Sequence, residues 1–304
     1  MEGFVLYSHY RKAVVKYAKD YFSKRGLPVQ EKYQYILKDQ QDWILNIIEF
    51  SVANEIVRLK LDAEANKVSF PLHKYLHHGL SSQAMLFNLF GEAQMKNDYA
   101  FFQDVLHFPD IHIDSNYILK FEHYDRGTFR EKQQQPTSFD FAVVDTTCKH
   151  KSIFVEAKYV ETEFGGCSAI KGGECDGQNP ISSPESCYLT SKGRNYWELM
   201  RKHELDQSFT TSAICPFTIY YQFFREIMFA IEKNAYYVIM IDNRNPAFER
   251  TVNGEYRGLL PLLLHKLPEQ IRQEVKILYI QDVLPILSKH GYSWVNEFKE
   301  KYGM

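Results

Sequence analysis

Two neighbouring stretches decide how this chain reads: residues 138–145, SFDFAVVD, and residues 152–159, SIFVEAKY. Both are rich in aromatic and β-branched residues, and the short polar segment from Thr146 to Lys151 separates them, so they read as the two arms of a β-hairpin. Asp140 stands alone between Phe139 and Phe141. Glu156 follows Ile153, Phe154 and Val155, and Lys158 lies two residues on, on the same side of its strand. Pairing of the arms brings two carboxylates and an ammonium together in a half-buried place. Carboxylates are rarely buried unless they are paired or hold a metal. Hard oxygen ligands with room for water suit Mg²⁺ or Mn²⁺. A metal-bound water beside a lysine is a nucleophile suited to a phosphodiester. The preceding run, Tyr117 to Tyr124 (YILKFEHY), is a third strand and offers Glu122 as another acid. The tripeptide E-x-K also occurs at Glu274 to Lys276 and at Glu297 to Lys299. Neither of those closes an apolar strand that has a lone Asp upstream.

Working outward, residues 8–25, 31–61 and 82–96 show helical spacing of apolar side chains, with Ser81 and Ser82 as an N-terminal cap for the last. Further helices are expected over about 191–206 and 216–234, with strands at 236–242 and 275–280. Three consecutive strands set among helices predict a mixed α/β fold, a central mixed sheet flanked by helices. The expected division is a helical N-terminal accessory region, 1–78, and a core, 79–304, that carries a Cys- and Gly-rich insertion at about 164–195.

The chain has 304 residues, of which 45% are hydrophobic and 24% charged, enough to fill a core and to exclude disorder. A net charge of −2 excludes a uniformly basic coat, so any nucleic-acid contact must come from local patches. No apolar run reaches the ~20 residues of a membrane helix. The start of the chain lacks the pattern of a secretory signal, and a cytoplasmic location is expected.

SFDFAVV followed by IFVEAKY resembles the PD-(D/E)XK nuclease superfamily, the restriction-endonuclease-like fold, and the order of helix, three strands, helix and strand also matches. The resemblance implies Mg²⁺-dependent hydrolysis of DNA, with Asp140, Glu156 and the Ala157 carbonyl as metal ligands and Lys158 positioning or polarising the attacking water. Glu122, an added metal ligand, and Gln222, on a helix similar to the glutamine-bearing helix of several branches, are auxiliary. No proline directly precedes Asp140; the nearest is Pro136. An endonuclease of restriction or defence type is the expected activity. A homodimer is an expected assembly, since one active site cuts one strand. The alternative is a non-cleaving nucleic-acid-binding or assembly module that keeps the fold.

Arg126, Arg130, Lys132, Lys192, Arg194, Arg201, Lys202 and Arg225 are candidate DNA contacts beside the sheet. Lys12, Lys16 and Lys19 share one helix face, and a solvated face is the simpler reading of them. Cys167, Cys175, Cys187 and Cys215 fall in or after the Gly-rich insertion. Four such cysteines can enclose Zn²⁺, which is ranked ahead of an iron–sulfur cluster, but no tight C-x₂-C pair is present and free thiols are the plainer expectation. His73, His77 and His78 read as the polar start of a helix.

Overall fold

The computed structural model describes residues 2–131 and 136–304. Helix α1 spans Glu2–Lys24, α2 Phe50–Ala65, α3 Ser82–Met95 and α4 Tyr99–Leu106. Strands β1 (Tyr117–Asp125), β2 (Thr137–Asp145) and β3 (Ser152–Lys158) follow. Short helices α5 (Ser168–Lys171), α6 (Tyr188–Ser191) and α7 (Tyr196–Lys202) punctuate the insertion and its sequel. Helix α8 (Phe217–Glu232) leads into β4 (Ala235–Ile241). A small hairpin, β5 (Arg250–Val252) and β6 (Glu255–Arg257), then precedes α9 (Leu259–His265) and α10 (Glu269–Arg272). Strand β7 (Val275–Tyr279), α11 (Ile280–Lys289) and α12 (Val295–Tyr302) complete the described chain.

The central sheet runs β1-β2-β3-β4-β7, antiparallel at the first two pairings and parallel at the last two. The expected mixed sheet flanked by helices is therefore present. Val143, Ile153, Val155, Val238 and Met240 point into a core shared with α1 to α4, α11 and α12. Ala142, Phe154, Tyr237 and Ile239 point into a second core with α7, α8 and α9. Tyr10, Val14 and Ala18 of α1 belong to the first core together with the sheet. Helix α3 is buried on nearly every side, which explains why most of its residues are apolar, and the Ser81 side chain caps it by accepting from Ala84 N–H. At Gly91 an added Cβ would lie 2.3 Å from Val52 Cγ1, so this glycine sets how closely α2 and α3 approach. Among the described residues no helix is long and apolar enough to cross a membrane.

Three sequence expectations need correction. Residues 31–61 do not form one helix: a 3₁₀ turn at Gln40–Asn46 gives way to extended Ile47, and α2 begins only at Phe50. The buried Asn46 side chain donates to the carbonyls of Leu76 and His78, 2.8 Å each, and so pins this break to the next loop. The helix expected over 191–206 is two short pieces, parted at Gly193, whose φ of +82° lies in the left-handed region. His73 to His78 form turns rather than a helix start, and α3 opens only after Ser81.

Candidate active site

The β2–β3 register pairs Phe141 with Val155 and Ala142 with Phe154, which places Asp140 across from Glu156. Asp140 Oδ2 accepts from Ala157 N–H at 2.8 Å, so the carboxylate is tied to the strand that carries Glu156 and Lys158. Every residue of β3 is buried. Lys158 Nζ donates to Glu156 Oε1 at 2.6 Å and to Gln222 Oε1 at 2.9 Å. Gln222 Nε2 in turn donates to Glu156 Oε1 and Glu226 Oε1, 2.7 Å each. Helix α8 thus presents Gln222 and Glu226, one turn apart on the same face, to the end of β3.

Glu122 lies beside this cluster through an irregularity of the sheet. Phe121 pairs with Phe141 and His123 with Phe139. A regular ladder would keep both pairs on one face. Instead Phe121 and Phe141 enter the first core, Phe139 enters the second, and His123 stacks on Phe154. The switch occurs at the Glu122–Asp140 level, and Glu122 has a φ of +52°. Left-handed backbone at a non-glycine strand residue costs on the order of 1–3 kcal/mol and needs support from its surroundings. Gln83 supplies some of it, donating from Nε2 to Glu122 Oε1 at 2.5 Å while its Oε1 accepts from His73 N–H.

Asp140, Glu156, Lys158, Glu122 and Gln83 line one cavity of about 1230 Å³ together with Gln222 and Arg225 of α8 and Arg11 of α1. Burial raises the Asp140 carboxyl well above its usual range, and the Glu156 charge raises it further. Burial does the same to Glu122, reinforced by Asp140. Glu226 follows the same pattern, raised by burial and by Glu156. Two carboxylates about 5 Å apart across a strand pair repel by about 3 kcal/mol at an effective dielectric of 20. Burial disfavours the charge of Lys158, but Glu156, Glu226, Glu161 and Asp140 outweigh it and hold the ammonium above the ordinary lysine value. Lys158 therefore stays protonated and acts as a cation.

The donor set fits a hard divalent cation, because buried acidic oxygens outnumber the one ammonium among them. They have not closed on a common point: among the described residues no group of three or more His, Cys, Asp or Glu is placed to hold a metal ion. Glu156 is turned instead toward Lys158 and Gln222.

A family model described as "Restriction Endonuclease associating with ARP" matches residues 13–303, nearly the whole chain. The chain belongs to that family. No curated protein and no solved structure matches it. The family match spans α1 from residue 13, the sheet and α12, so the helical N-terminal segment is mostly within it.

The remaining candidates occupy varied places in this family member. Arg225 lies over the Tyr221 ring, 4.7 Å from its centroid, with Nη1 3.8 Å from buried Glu131 Oε1, and it faces the cavity. Arg194 is buried and its Nη1 donates to the Arg130 carbonyl, so it ties two loops together. Arg130 is exposed and 3.4 Å from Glu198. Arg126 is exposed and donates to the Glu131 carbonyl. Lys192 is exposed over the Tyr188 ring. Among the described candidates for DNA contact, Arg225 lines the large cavity, whereas Arg130 and Arg194 line a smaller one with Glu198. Lys132 lies outside the described residues.

Cys167, Cys175, Cys187 and Cys215 line a separate cavity, and each is a free thiol. Burial pushes the Cys215 thiol up to about 12, with Cys187, Cys167 and Cys175 adding to the rise. Sequence reading missed Gln83, Glu131, Glu226 and Arg11. Glu226 had a signal, four residues beyond Gln222 on one helix. Gln83 and Arg11 had none, because their helices reach the cavity from distant parts of the chain.

Proposed function

We propose that the chain is a divalent-metal-dependent deoxyribonuclease of the PD-(D/E)XK type, an endonuclease acting in restriction or defence. The observation that carries this reading is the single cavity wall on which Asp140, Glu156 and Lys158 meet, with Asp140 fixed by the Ala157 amide. The family description supports a nuclease and pairs it with ARP, and association with ARP is part of the proposal.

Asp140, Glu156 and Glu122, with the Ala157 carbonyl, would hold Mg²⁺ or Mn²⁺. When bound, such an ion makes a water nucleophilic near neutral pH and offsets charge building on the phosphate. Lys158, kept protonated by four carboxylates, orients the attacking water and supplies positive charge beside the phosphate. Gln222 holds Lys158 and Glu156 in register by bonding to both. Gln83 keeps Glu122 facing its neighbours. Arg225 and Arg11 would receive the DNA backbone at the cavity walls. A cavity of this kind cuts one strand, so a double-strand break calls for two copies.

The test is plasmid cleavage. Purified protein with Mg²⁺ or Mn²⁺ should convert supercoiled DNA to nicked and then linear forms, and Asp140→Asn should slow this by at least about 100-fold. Intact plasmid in both metals, with DNA bound, would replace this reading by the non-cleaving module. Unchanged cutting by Asp140→Asn would remove the site.

A further inference from the structure

The cysteine cavity lies apart from the carboxylates and has a chemistry of its own. Its volume is about 270 Å³, and Cys167, Cys175, Cys187 and Cys215 all stand on its wall. They come from four separated places in the chain. Cys167 precedes α5, Cys175 sits in the following turn, Cys187 precedes α6 and Cys215 lies just before α8. Backbone pairing gathers these segments: Cys215 N–H donates to the Gly177 carbonyl and Cys167 N–H to the Phe217 carbonyl, 2.9 Å each, beside an isolated bridge between Gln178 and Ile214. The fifth cysteine, Cys148, is exposed in the β2–β3 turn and takes no part.

Buried cysteines often serve as small apolar fillers. That role fills space, whereas these four surround space. The backbone also addresses the sulfurs in a repeated way. Gly177 N–H donates to Cys175 Sγ at 3.4 Å. The N–H groups of Ala169 and Phe217 face the sulfurs of Cys167 and Cys215. At three of the four cysteines, then, an amide two residues further on points back at sulfur. Amide donors toward sulfur stabilise a metal-bound thiolate and orient it.

We propose that Cys167, Cys175, Cys187 and Cys215 form a tetrathiolate metal centre. The shared chemistry is a soft cation bound by four thiolates, either one zinc ion or an iron–sulfur cluster. Among the described residues no group of three or more His, Cys, Asp or Glu is already placed to hold a metal ion, so binding would require the cysteine side chains to rotate toward it. The centre would also brace the active site. Gln222 N–H and Tyr221 N–H donate to the carbonyls of Phe164 and Gly165, 3.0 Å each, directly beside Cys167. At Gly166 a Cβ would lie 2.3 Å from the Thr218 carbonyl, so the two segments are in close contact. A metal at the four cysteines fixes the segment that carries Gln222.

The experiment is metal and sulfide analysis of the full-length protein purified without oxygen, together with thiol counting in the folded state. The expected result is about one zinc per chain without labile sulfide, or iron with matching labile sulfide, and Cys148 as the single readily alkylated thiol until a chelator exposes the rest. Cys175→Ser should lower metal content more than about tenfold, while Cys148→Ser should leave it unchanged. Ready alkylation of all five thiols in metal-free folded protein would overturn the proposal. So would two disulfides, or full metal content in Cys175→Ser. If Cys175→Ser does not fold, the thiol count on the wild-type chain still decides. Metal content and thiol reactivity do not depend on DNA cleavage, so this centre and the nuclease reading stand or fall separately.

Discussion

Lys158 at the end of β3 and Lys301 in α12 are both buried, yet their charges are driven in opposite directions. Around Lys158, four carboxylates outweigh the cost of burial and hold the ammonium charged. Lys301 has its Nζ on the Asn46 carbonyl and faces the rings of Tyr21 and Tyr302, 5.3 Å away. Burial lowers its pKa well below the ordinary lysine value, Glu297 opposes that and Arg25 adds to it. Burial alone discharges a lysine; a crowd of acids keeps one charged, and such a crowd is itself unstable without a cation. The β3 end thus gathers charge, and the α12 seam removes it.

The largest expected effect tests this contrast directly. Lys158→Met should reduce DNA cleavage by about 10³-fold with the fold intact, while Lys301→Met should keep activity within about twofold of wild type. A cleavage assay with circular dichroism on both variants checks it, and equal losses would erase the distinction.

The next effect concerns stability and divalent metal. Asp140 and Glu122 have folded pKa values above their unfolded ones. Their contribution to stability is thus fully present below about pH 4 and is lost as pH rises through the folded values. Metal-free protein should accordingly melt at lower temperature at pH 8 than at pH 6 on account of these groups. Mg²⁺ should raise Tm at pH 8, and Asp140→Asn should shrink that gain. Thermal melts with and without Mg²⁺ measure both, and a Tm indifferent to Mg²⁺ in the wild type would count against the ion site.

The smallest effect belongs to Lys301. Its folded pKa lies below the unfolded one, so stability falls as pH drops from the ordinary lysine range toward the folded value. Lys301→Met removes that slope and should be as stable as wild type or up to ~2 kcal/mol more so. The Asn46 carbonyl keeps a partner, since Asn88 Nδ2 also donates to it at 3.1 Å. Urea titrations at pH 7 and pH 9.5 would show it.

Much of the sheet was readable in advance. The apolar runs of β1, β2, β3, β4 and β7 fall within a residue or two of their expected places, because buried strands need continuous β-formers. The single-helix readings over 31–61 and 191–206 failed for a different reason. Helical spacing persists across a break when the break is held by distant partners, as Asn46 is by Leu76 and His78. In the candidate site, Asp140, Glu156 and Lys158 were legible because charged residues inside apolar strands are costly and therefore conspicuous. Glu131 escaped notice because it sits in a loop. Its oxygens accept from Thr137 and from the Tyr196 hydroxyl, a buried arrangement no local pattern announces.

Composition and the two strand motifs already set the class of fold, the polarity of β3 and the side of it on which Glu156 and Lys158 lie, since side-chain alternation along a strand is a local rule. The folded arrangement added what locality cannot supply. Helix α8 returns to clasp Lys158 through Gln222, the ladder switches face at Glu122 and Asp140, and cysteines up to 48 residues apart gather around one cavity. Each of these rests on partners far away in the chain, whose proximity depends on how the two cores pack against the sheet.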